Sequence, residues 1–268
     1  MSDVLQAIVA GARQSAEVRM RDVPLAALER LAAPMRPRGE AFRESLSSGG
    51  VRIMAECKRR SPSRGVLREH YVPAEIAAGY ARAGAAGISV LTEPSFFDGA
   101  LDHLRSVRAA VTTPLLRKDF IVNRYQIAEA RACGADGVLL IVAALGDTDL
   151  TELQQYASDL GLMALVEVHT AEELTRAVQA GAGTIGVNSR SLRTLAVDTD
   201  GFERLVDGIP DDAVAIAESG IRTPDDVRRL RGIGFDAFLI GERFMAEANP
   251  GAALTALLAA AREAEDTP

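Results

Sequence analysis

Eight short apolar runs, rich in valine, isoleucine and leucine, recur along the chain at intervals of 22 to 36 residues. They begin near Val51, Gly87, Pro114, Asp136, Leu162, Thr184, Ala213 and Asp236. Uninterrupted apolar runs of this length are typical of strands that are buried on both faces of a parallel sheet. Patterns of helical period fill the gaps between the runs. The chain therefore predicts eight consecutive strand–helix units.

Helix start and stop signals support this alternation. Thr223 followed by Pro224 is a helix N-cap with proline in the first turn, and Thr170 with Glu173 has the spacing of a capping box before a helix over 171–180. Several helical patterns end in glycine, which leaves only short turns into the next strand. Eight parallel strands with tight connections predict a closed (β/α)₈ TIM barrel. The alternative, an open doubly wound α/β sheet, usually has fewer strands.

The first 50 residues precede the first strand and have helical periodicity. One helical face carries Leu5, Ile8, Val9 and Ala12. A second helix begins near Pro24. We interpret residues 1–50 as an N-terminal helical extension that covers part of the barrel, and residues 51–268 as the catalytic barrel, with one domain overall.

Composition narrows the class of protein. The 268 residues are close to the ~250 of a typical barrel of this kind. A net charge of -7 argues against a nucleic-acid partner, and the two cysteines, Cys57 and Cys133, make neither a disulfide framework nor a zinc site. No run approaches the ~20 apolar residues of a membrane span, and residues 1–20 lack the apolar core of a signal peptide. We expect a soluble cytoplasmic protein without a membrane partner.

Polar side chains follow six of the eight apolar runs, at the point where each predicted strand ends. They are Glu56 and Lys58, Thr92 and Glu93, Lys118, Glu167, Asn188, and Glu218 with Ser219. Active sites of (β/α)₈ barrels lie at the carboxyl ends of the strands, and buried charges are costly unless they are paired. A single such residue is equally consistent with a salt bridge at the rim. The whole set at one end of the barrel favours an active site.

The last two strand ends carry a signal for phosphate. Ser219-Gly220 follows the seventh run and Gly241-Glu242 follows the eighth, and these two loops commonly bind phosphate through backbone N–H groups. Glu242 would contribute only its backbone N–H, with its carboxylate pointing away from the anion. The basic segment KRRSPSRG (58–65) suits a loop over an anionic ligand, although its composition alone favours a solvated loop.

Six segments in one order closely resemble the indole-3-glycerol phosphate synthase family. They are AECKRRSPSRG (55–65), LLRKDFIV (115–122) followed by Tyr125-Gln126, ALVEVHT (164–170), IGVNSRSL (185–192), IAESGI (216–221) and FLIGERFM (238–245). They run from the first strand to the eighth, whereas residues 1–50 match only as a helical extension. The phosphate motif alone would be shared with many barrels, but the combination is specific.

The resemblance implies a carbon–carbon lyase (carboxy-lyase) of tryptophan biosynthesis. Its substrate would be 1-(2-carboxyphenylamino)-1-deoxyribulose 5-phosphate, which closes to indole-3-glycerol phosphate with loss of carbon dioxide and water. It implies no cofactor and no metal. Other enzymes of the tryptophan pathway are plausible partners, and the oligomeric state is left open.

The resemblance also implies a role for each matching residue. Lys118 would be the general acid, and Glu167 would act in acid–base catalysis. Lys58 would contact the phosphate and assist proton transfer, and Glu56 would stabilise positive charge on the substrate nitrogen. The other catalytic and substrate-positioning residues would be Asn188, Arg190, Glu218, Ser219 and Ser61. Phosphate would be held by Lys58, Gly220, Gly241 and Glu242, and the aromatic ring by Phe97, Phe120 and Leu139, all three of which are equally consistent with core.

Two departures and two rival interpretations accompany the resemblance. Ser189 stands where the family often has a second asparagine, and Cys57, a core residue by strand alternation, replaces a small aliphatic residue.

A related barrel, phosphoribosylanthranilate isomerase, uses a cysteine after strand 1 and an aspartate after strand 6. Here strand 6 ends in Asn188, and Lys118 would have no function. A catalytically inactive, phosphate-ligand-binding barrel is the other alternative, but no member of the lysine–glutamate set is missing.

Overall fold

The eight apolar runs form a closed barrel of parallel strands in the computed structural model, which describes residues 4–191 and 195–262. The strands are β1 (Arg52–Cys57), β2 (Gly87–Leu91), β3 (Leu115–Lys118), β4 (Gly137–Ile141), β5 (Met163–Val168), β6 (Thr184–Asn188), β7 (Val214–Glu218) and β8 (Ala237–Ile240). Each strand pairs in parallel with the next, and β8 closes on β1. The predicted (β/α)₈ barrel is confirmed. Leu192, the last residue of one family motif, lies outside the described residues.

Helices precede the barrel and follow each of its strands. Those before β1 are α1 (Val4–Asp22), α2 (Leu25–Ala32) and α3 (Gly39–Ser47). The later ones are α4 (Pro73–Arg82), α5 (Pro94–Phe97), α6 (Leu101–Ala110), α7 (Arg124–Ala132), α8 (Asp147–Asp159), α9 (Ala171–Gln179), α10 (Gly201–Val206), α11 (Pro224–Gly232), α12 (Glu242–Met245) and α13 (Pro250–Arg262). A 3₁₀ turn, Val142–Ala144, lies between β4 and α8. Within the described part of the chain, no helix is long and apolar enough to cross a membrane.

The two predicted helix starts differ in detail. At Thr223 the capping box is complete, because the side chain accepts from the Asp226 N–H and the Asp226 carboxylate accepts from the Thr223 N–H. At Thr170 only half of the predicted box forms. The Thr170 hydroxyl accepts from the Glu173 N–H, but the Glu173 carboxylate accepts from the N–H of His169, one residue earlier.

The core has two layers separated by the barrel wall. Alternate residues of β1 show the division: Ile53, Ala55 and Cys57 pack in the large apolar layer between sheet and helices, whereas Met54 packs in the barrel interior. This alternation follows from the two-residue period of a strand. Cys57 is fully buried and its Sγ lies 4.0 Å from the Pro73 carbonyl oxygen, as predicted for a core residue.

The helices before β1 contact the barrel interior as well as its outside. The structure has a third helix here, α3, that the sequence did not predict. Its Phe42 and Leu46 are fully buried in the interior layer, and a Cβ atom on Gly87, the first residue of β2, would collide with the Phe42 ring. Helix α3 therefore closes the amino-terminal end of the barrel. The domain division at residue 50 stays a prediction.

Candidate active site

One cavity of about 460 Å³ opens at the carboxyl ends of the strands and receives residues from all eight of them. Every residue to which the family resemblance gave a catalytic, substrate-binding or phosphate-binding role lines this cavity. They are Glu56, Lys58, Ser61, Phe97, Lys118, Phe120, Leu139, Glu167, Asn188, Arg190, Glu218, Ser219, Gly220, Gly241 and Glu242. The strand ends thus bring together side chains that are up to 186 positions apart, from Glu56 to Glu242, in one concave site.

Lys118 lies between two carboxylates on the cavity floor. It is the last residue of β3, and its Nζ lies 3.1 Å from Glu167 Oε2 and 3.0 Å from Glu218 Oε2. The two glutamates come from β5 and β7, and their side chains are 3% and 1% exposed. Because water is largely excluded here, these ion pairs are stronger than surface pairs.

The charges around Lys118 and its burial have opposite effects on the pKa of this lysine. Burial alone would lower the pKa of Lys118, but the negative charges of Glu167, Glu218 and Glu56 outweigh it and raise the pKa above its ordinary value. Burial raises the pKa of Glu218 to about 8, and the charge of Glu167 adds to the rise while Lys118 opposes it. Burial therefore favours the protonated form of Glu218, whereas the surrounding carboxyl groups favour the charged form of Lys118.

A second lysine–glutamate pair lies at the end of β1. The Lys58 ammonium donates a hydrogen bond to Glu56 Oε2, and Glu56 is 2% exposed. The negative charge of Glu56 also acts on Lys118. The cavity therefore contains two lysines and three carboxyl groups that interact electrostatically. Such a cluster is suited to transferring protons between its members.

The chain turns sharply after β7, at the predicted phosphate site. Ser219 and Gly220 both have left-handed backbone, with φ of 66° and 70°. This conformation is uncommon for serine, and such residues cluster at functional sites. A Cβ atom on Gly220 would lie 3.0 Å from Ser189 Oγ and 3.1 Å from Val197 Cγ1, so the left-handed backbone favours glycine here and a larger residue would also make its neighbours shift. Across the cavity, Gly241 immediately precedes α12, whose first N–H groups have no acceptor within the helix.

Two arginines neutralise the Glu242 carboxylate. Its Oε1 accepts from Arg64 Nε at 3.0 Å, and its Oε2 accepts from Arg190 Nη2 at 3.2 Å. The sequence suggested only a backbone contribution from Glu242. The structure adds that its side chain ties the loop after β1 to the loop after β6. Arg64 was not predicted as a site residue, since its partner cannot be identified from sequence spacing.

The basic segment after β1 is an ordered hairpin. Arg60–Ser61 pairs antiparallel with Gly65–Val66, and Ser61, Arg64 and the residues between them line the cavity. Its base is held by Arg59, whose Nη1 lies 2.6 Å from Asp98 Oδ2. The segment is therefore part of the cavity wall, and not the solvated loop that its composition alone favours.

The apolar wall of the cavity is built around two phenylalanines. The Phe97 and Phe120 rings lie 6.3 Å apart at an interplanar angle of 33°. Leu139, 2% exposed, packs in the interior layer and also lines the cavity. The sequence missed Ile8 and Ile141, which line the same wall. Ile8 was predicted on the apolar face of the first helix, but nothing in the sequence indicates that this face reaches the site.

The polar residues at the end of β2 have structural roles. Glu93 caps α5, since its carboxylate accepts from the N–H groups of Ser95, Phe96 and Phe97. Thr92 donates a 2.5 Å hydrogen bond to Asp119. Glu93 thus orients the segment that carries Phe97 without lining the cavity itself. In residues 4–191 and 195–262, no cluster of histidine, cysteine and carboxylate side chains is arranged to hold a metal ion.

Comparisons with known proteins agree with the geometry. The family model for indole-3-glycerol phosphate synthase matches residues 5–257. A protein of that name from Saccharopolyspora erythraea is 49% identical over 257 residues, which cover 96% of this chain and 95% of the relative. One from Burkholderia vietnamiensis is 46% identical over 256 residues, covering 95% and 98%.

Solved structures of more distant sequence share the fold. Thiamine phosphate pyrophosphorylase from Pyrococcus furiosus has a TM-score of 0.61 at 18% identity, covering 83% of this chain and 98% of its own. The KGPDC structure from Streptococcus mutans has a TM-score of 0.63 at 11% identity, covering 80% and 99%. At these identities the likeness concerns the barrel alone.

Proposed function

The chain belongs to the indole-3-glycerol phosphate synthase family, and from this premise we propose how the residues around the cavity carry out the reaction. The enzyme is a carboxy-lyase of tryptophan biosynthesis. It closes the five-membered ring of 1-(2-carboxyphenylamino)-1-deoxyribulose 5-phosphate and releases carbon dioxide and water to give indole-3-glycerol phosphate.

Lys118 is the general acid of ring closure. When the ring carbon that bears the carboxylate attacks the ketone carbon, the electrons of the C=O bond move to oxygen, which must take up a proton. The observation that supports Lys118 is its position between Glu167 and Glu218, at 3.1 and 3.0 Å. These carboxyl groups keep the ammonium charged and aim it into the cavity, where its charge stabilises the developing oxyanion.

Glu167 carries the proton transfers that follow. Loss of carbon dioxide restores the aromatic ring, and the hydroxyl group then leaves as water once it has accepted a proton. The amine proton must go to a base during this dehydration. Glu167 lies in direct contact with Lys118, so a proton can pass between the two groups. Glu56, paired with Lys58, lies where a buried carboxylate offsets positive charge on the substrate nitrogen.

The remaining site residues bind and orient the substrate. The phosphate is held by Lys58 and by backbone N–H groups at Gly220, Gly241 and Glu242, where the turn after β7 faces the start of α12. The aromatic ring packs against Phe97, Phe120 and Leu139. The substrate-positioning and further catalytic residues are Ser61, Asn188, Arg190, Glu218 and Ser219.

The isomerase interpretation conflicts with the position of Cys57. This thiol packs among apolar side chains between sheet and helices, on the far side of the barrel wall from the cavity. Burial, assisted by the charge of Glu56, raises the pKa of the thiol above its ordinary value, so it is not available as a base. An inactive binder has no use for two buried lysine–glutamate pairs, which cost free energy to desolvate.

A direct assay tests the proposal. Purified protein is mixed with the carboxyphenylamino deoxyribulose phosphate, in chelator and without cofactor, and indole fluorescence is followed. A rise that Lys118→Met abolishes supports both the reaction and the general acid. If fluorescence does not rise while a phosphorylated ligand still binds, the catalytic assignment fails and a binding protein remains.

We also propose a reducing cytoplasm as the place of action, and no nucleic-acid or membrane partner. Two buried, unpaired cysteines and a net charge of -7 support this. Association with other enzymes of tryptophan biosynthesis is a proposal that rests on the shared pathway, and size-exclusion chromatography of the enzyme alone and in mixtures tests it.

A further inference from the structure

A glycine of β6 faces the Glu218 carboxylate. A Cβ atom added to Gly186 would lie closer than 3.0 Å to Glu218 Oε1 and 3.2 Å from its Cδ, and Leu165 Cδ1 would be 3.1 Å away. Real Cβ atoms essentially never make contacts below 3.0 Å. The carboxyl group of Glu218 therefore occupies the space that a side chain at position 186 would need.

The backbone at Gly186 does not explain the glycine. The residue lies inside β6, pairs in register with Glu167 of β5 and Ile216 of β7, and does not have a positive φ. Glycine in a strand interior weakens the strand, because it loses more conformational freedom on folding and packs nothing. The Cβ position points instead to the neighbouring carboxyl group as the reason for glycine.

The same relationship recurs elsewhere in the cavity. A Cβ atom on Gly241 would lie closer than 3.0 Å to Glu56 Oε2, and Gly241 has φ of -126°, which any residue can adopt. In both cases a buried glutamate of one strand leans over a glycine of the neighbouring element: Gly186 lies inside β6, and Gly241 directly follows β8. These two occurrences in one cavity indicate that a glycine leaves room for a buried carboxyl group in each case.

We propose that Gly186 is a positioning residue for the reaction, because the missing side chain lets the Glu218 carboxyl group lie across β6 with its other oxygen 3.0 Å from Lys118 Nζ. The inference rests on the proposed role of Lys118. An alanine at this position would force Glu218 to rotate, and Lys118 would keep only Glu167 of its two partners. Gly186 would thus determine the charge environment of the general acid without contacting the substrate.

The test compares two glycine substitutions in one segment. Gly186→Ala introduces the collision, whereas the control Gly183→Ala places a Cβ atom 3.7 Å from Arg43 Nε, an ordinary contact. We expect Gly186→Ala to lower kcat at least tenfold with KM within threefold of wild type. Gly183→Ala is expected to stay within twofold on both. If Gly186→Ala folds and retains wild-type kcat, the inference is wrong.

A double-mutant cycle separates positioning from general damage to the strand. Glu218→Ala removes the atoms that the new methyl group would strike. In that background only the 3.1 Å approach to Leu165 Cδ1 remains, so Gly186→Ala should leave the residual kcat unchanged and lower Tm by much less than it does when Glu218 is present. If Gly186→Ala unfolds the protein and Glu218→Ala does not restore folding, the collision is not with Glu218 and the inference fails.

The cycle also distinguishes this inference from the proposed reaction. A wild-type enzyme without synthase activity would overturn the proposed chemistry, while the Tm values of the four proteins would still decide whether Gly186 accommodates Glu218. An active wild type with additive effects of the two substitutions on Tm would overturn the role of Gly186 alone.

Discussion

Arg117 and Lys118 are consecutive residues of β3, and their cationic groups lie on opposite sides of the barrel wall. Lys118 lines the cavity. Arg117 is 1% exposed, and its guanidinium lies outside the barrel against α7, where it donates to the Gln126 carbonyl oxygen at 2.6 Å and to Glu129 at 3.3 Å. The same strand thus places one cation, Arg117, against the helices and another, Lys118, in the cavity.

The buried cation also connects the residues on either side of Lys118. Asp119 Oδ2 accepts from Arg117 Nη2 at 2.8 Å, and Asp119 Oδ1 accepts from the Phe120 N–H. Glu129 in turn accepts from Arg19 Nε and Nη2, at 2.5 and 2.9 Å. A chain of ion pairs therefore runs from helix α1 to the strand that carries Lys118.

Replacing Glu129 tests how much this series of ion pairs contributes to the free energy of unfolding. Glu129→Gln leaves two guanidinium groups without their shared carboxylate, one of them fully buried, so we expect a loss of roughly 2–3 kcal/mol in the free energy of unfolding. Urea denaturation measures it. The matched control is Glu152→Gln, whose carboxylate pairs with Arg124 on the surface and whose loss should cost less than about 0.5 kcal/mol. Equal losses for the two variants would contradict a special role for the buried chain.

Lys118→Met should separate turnover from binding. Methionine has similar length but cannot donate a proton, and the charge of Lys118 matters mainly in the transition state. We expect kcat to fall by about 10²- to 10⁴-fold, the range of general acid–base catalysis. Substrate affinity should stay within about tenfold of wild type. Steady-state fluorescence kinetics with a separate binding titration decide this, and equal losses in kcat and affinity would remove Lys118 from the role of general acid.

The raised pKa of Glu218 predicts a pH dependence of stability. The folded-state pKa of about 8 exceeds the ordinary value of 4.5, so folding favours the protonated form. The stability from this group is fully present below pH 4.5 and is lost as pH rises through about 8. The free energy of unfolding should therefore fall between about pH 4.5 and 8 in the wild type and level off above that, while Lys118 remains charged.

Glu218→Gln removes this titration, and the comparison tests its assignment. Glutamine keeps the shape of a protonated carboxyl group but cannot ionise. We expect the decline in stability between about pH 4.5 and 8 to become shallower, and an ionisation near pH 8 to disappear from the profile of kcat/KM. Profiles of wild type and variant that run parallel would place the titrating group elsewhere in the cluster.

The positions of the strands were predictable because each strand is a buried apolar run. The polar residues that end each run mark the end of the barrel where the cavity lies. Helix α3 was not predictable, since Phe42 and Leu46 are the only large apolar residues in a polar nine-residue segment. Glu56 and Glu93 both follow such runs, yet one lines the cavity and the other caps a helix. Hydrogen-bond partners depend on neighbouring elements, so sequence alone does not distinguish these two cases.

The sequence also did not predict close contacts between side chains and backbone of different elements. Gly186 has the pattern of an ordinary strand residue, and only its distance to Glu218 identifies it as part of the site. The pairing of Glu242 with Arg64 joins residues 178 positions apart and depends on how the hairpin after β1 folds over the cavity. The first relationship follows from the register of two neighbouring strands, and the second from closure of the barrel, which brings separate loops to one end.

The phosphate site can be tested at Gly220 with a control for backbone strain. Gly220→Ala forces a left-handed alanine and places a methyl group 3.0 Å from Ser189 Oγ, in the turn proposed to bind the phosphate. Gly181→Ala carries the same backbone cost, about 1–2 kcal/mol, because Gly181 has φ of 72° and no atom within 4 Å of its added Cβ. Gly181 does not line the cavity.

We expect Gly220→Ala to raise KM at least tenfold with kcat within threefold, and to weaken inhibition by inorganic phosphate in parallel. Gly181→Ala should lower Tm without changing KM. If both variants leave KM unchanged, the phosphate lies elsewhere in the cavity, and if both raise it, general destabilisation accounts for the effect.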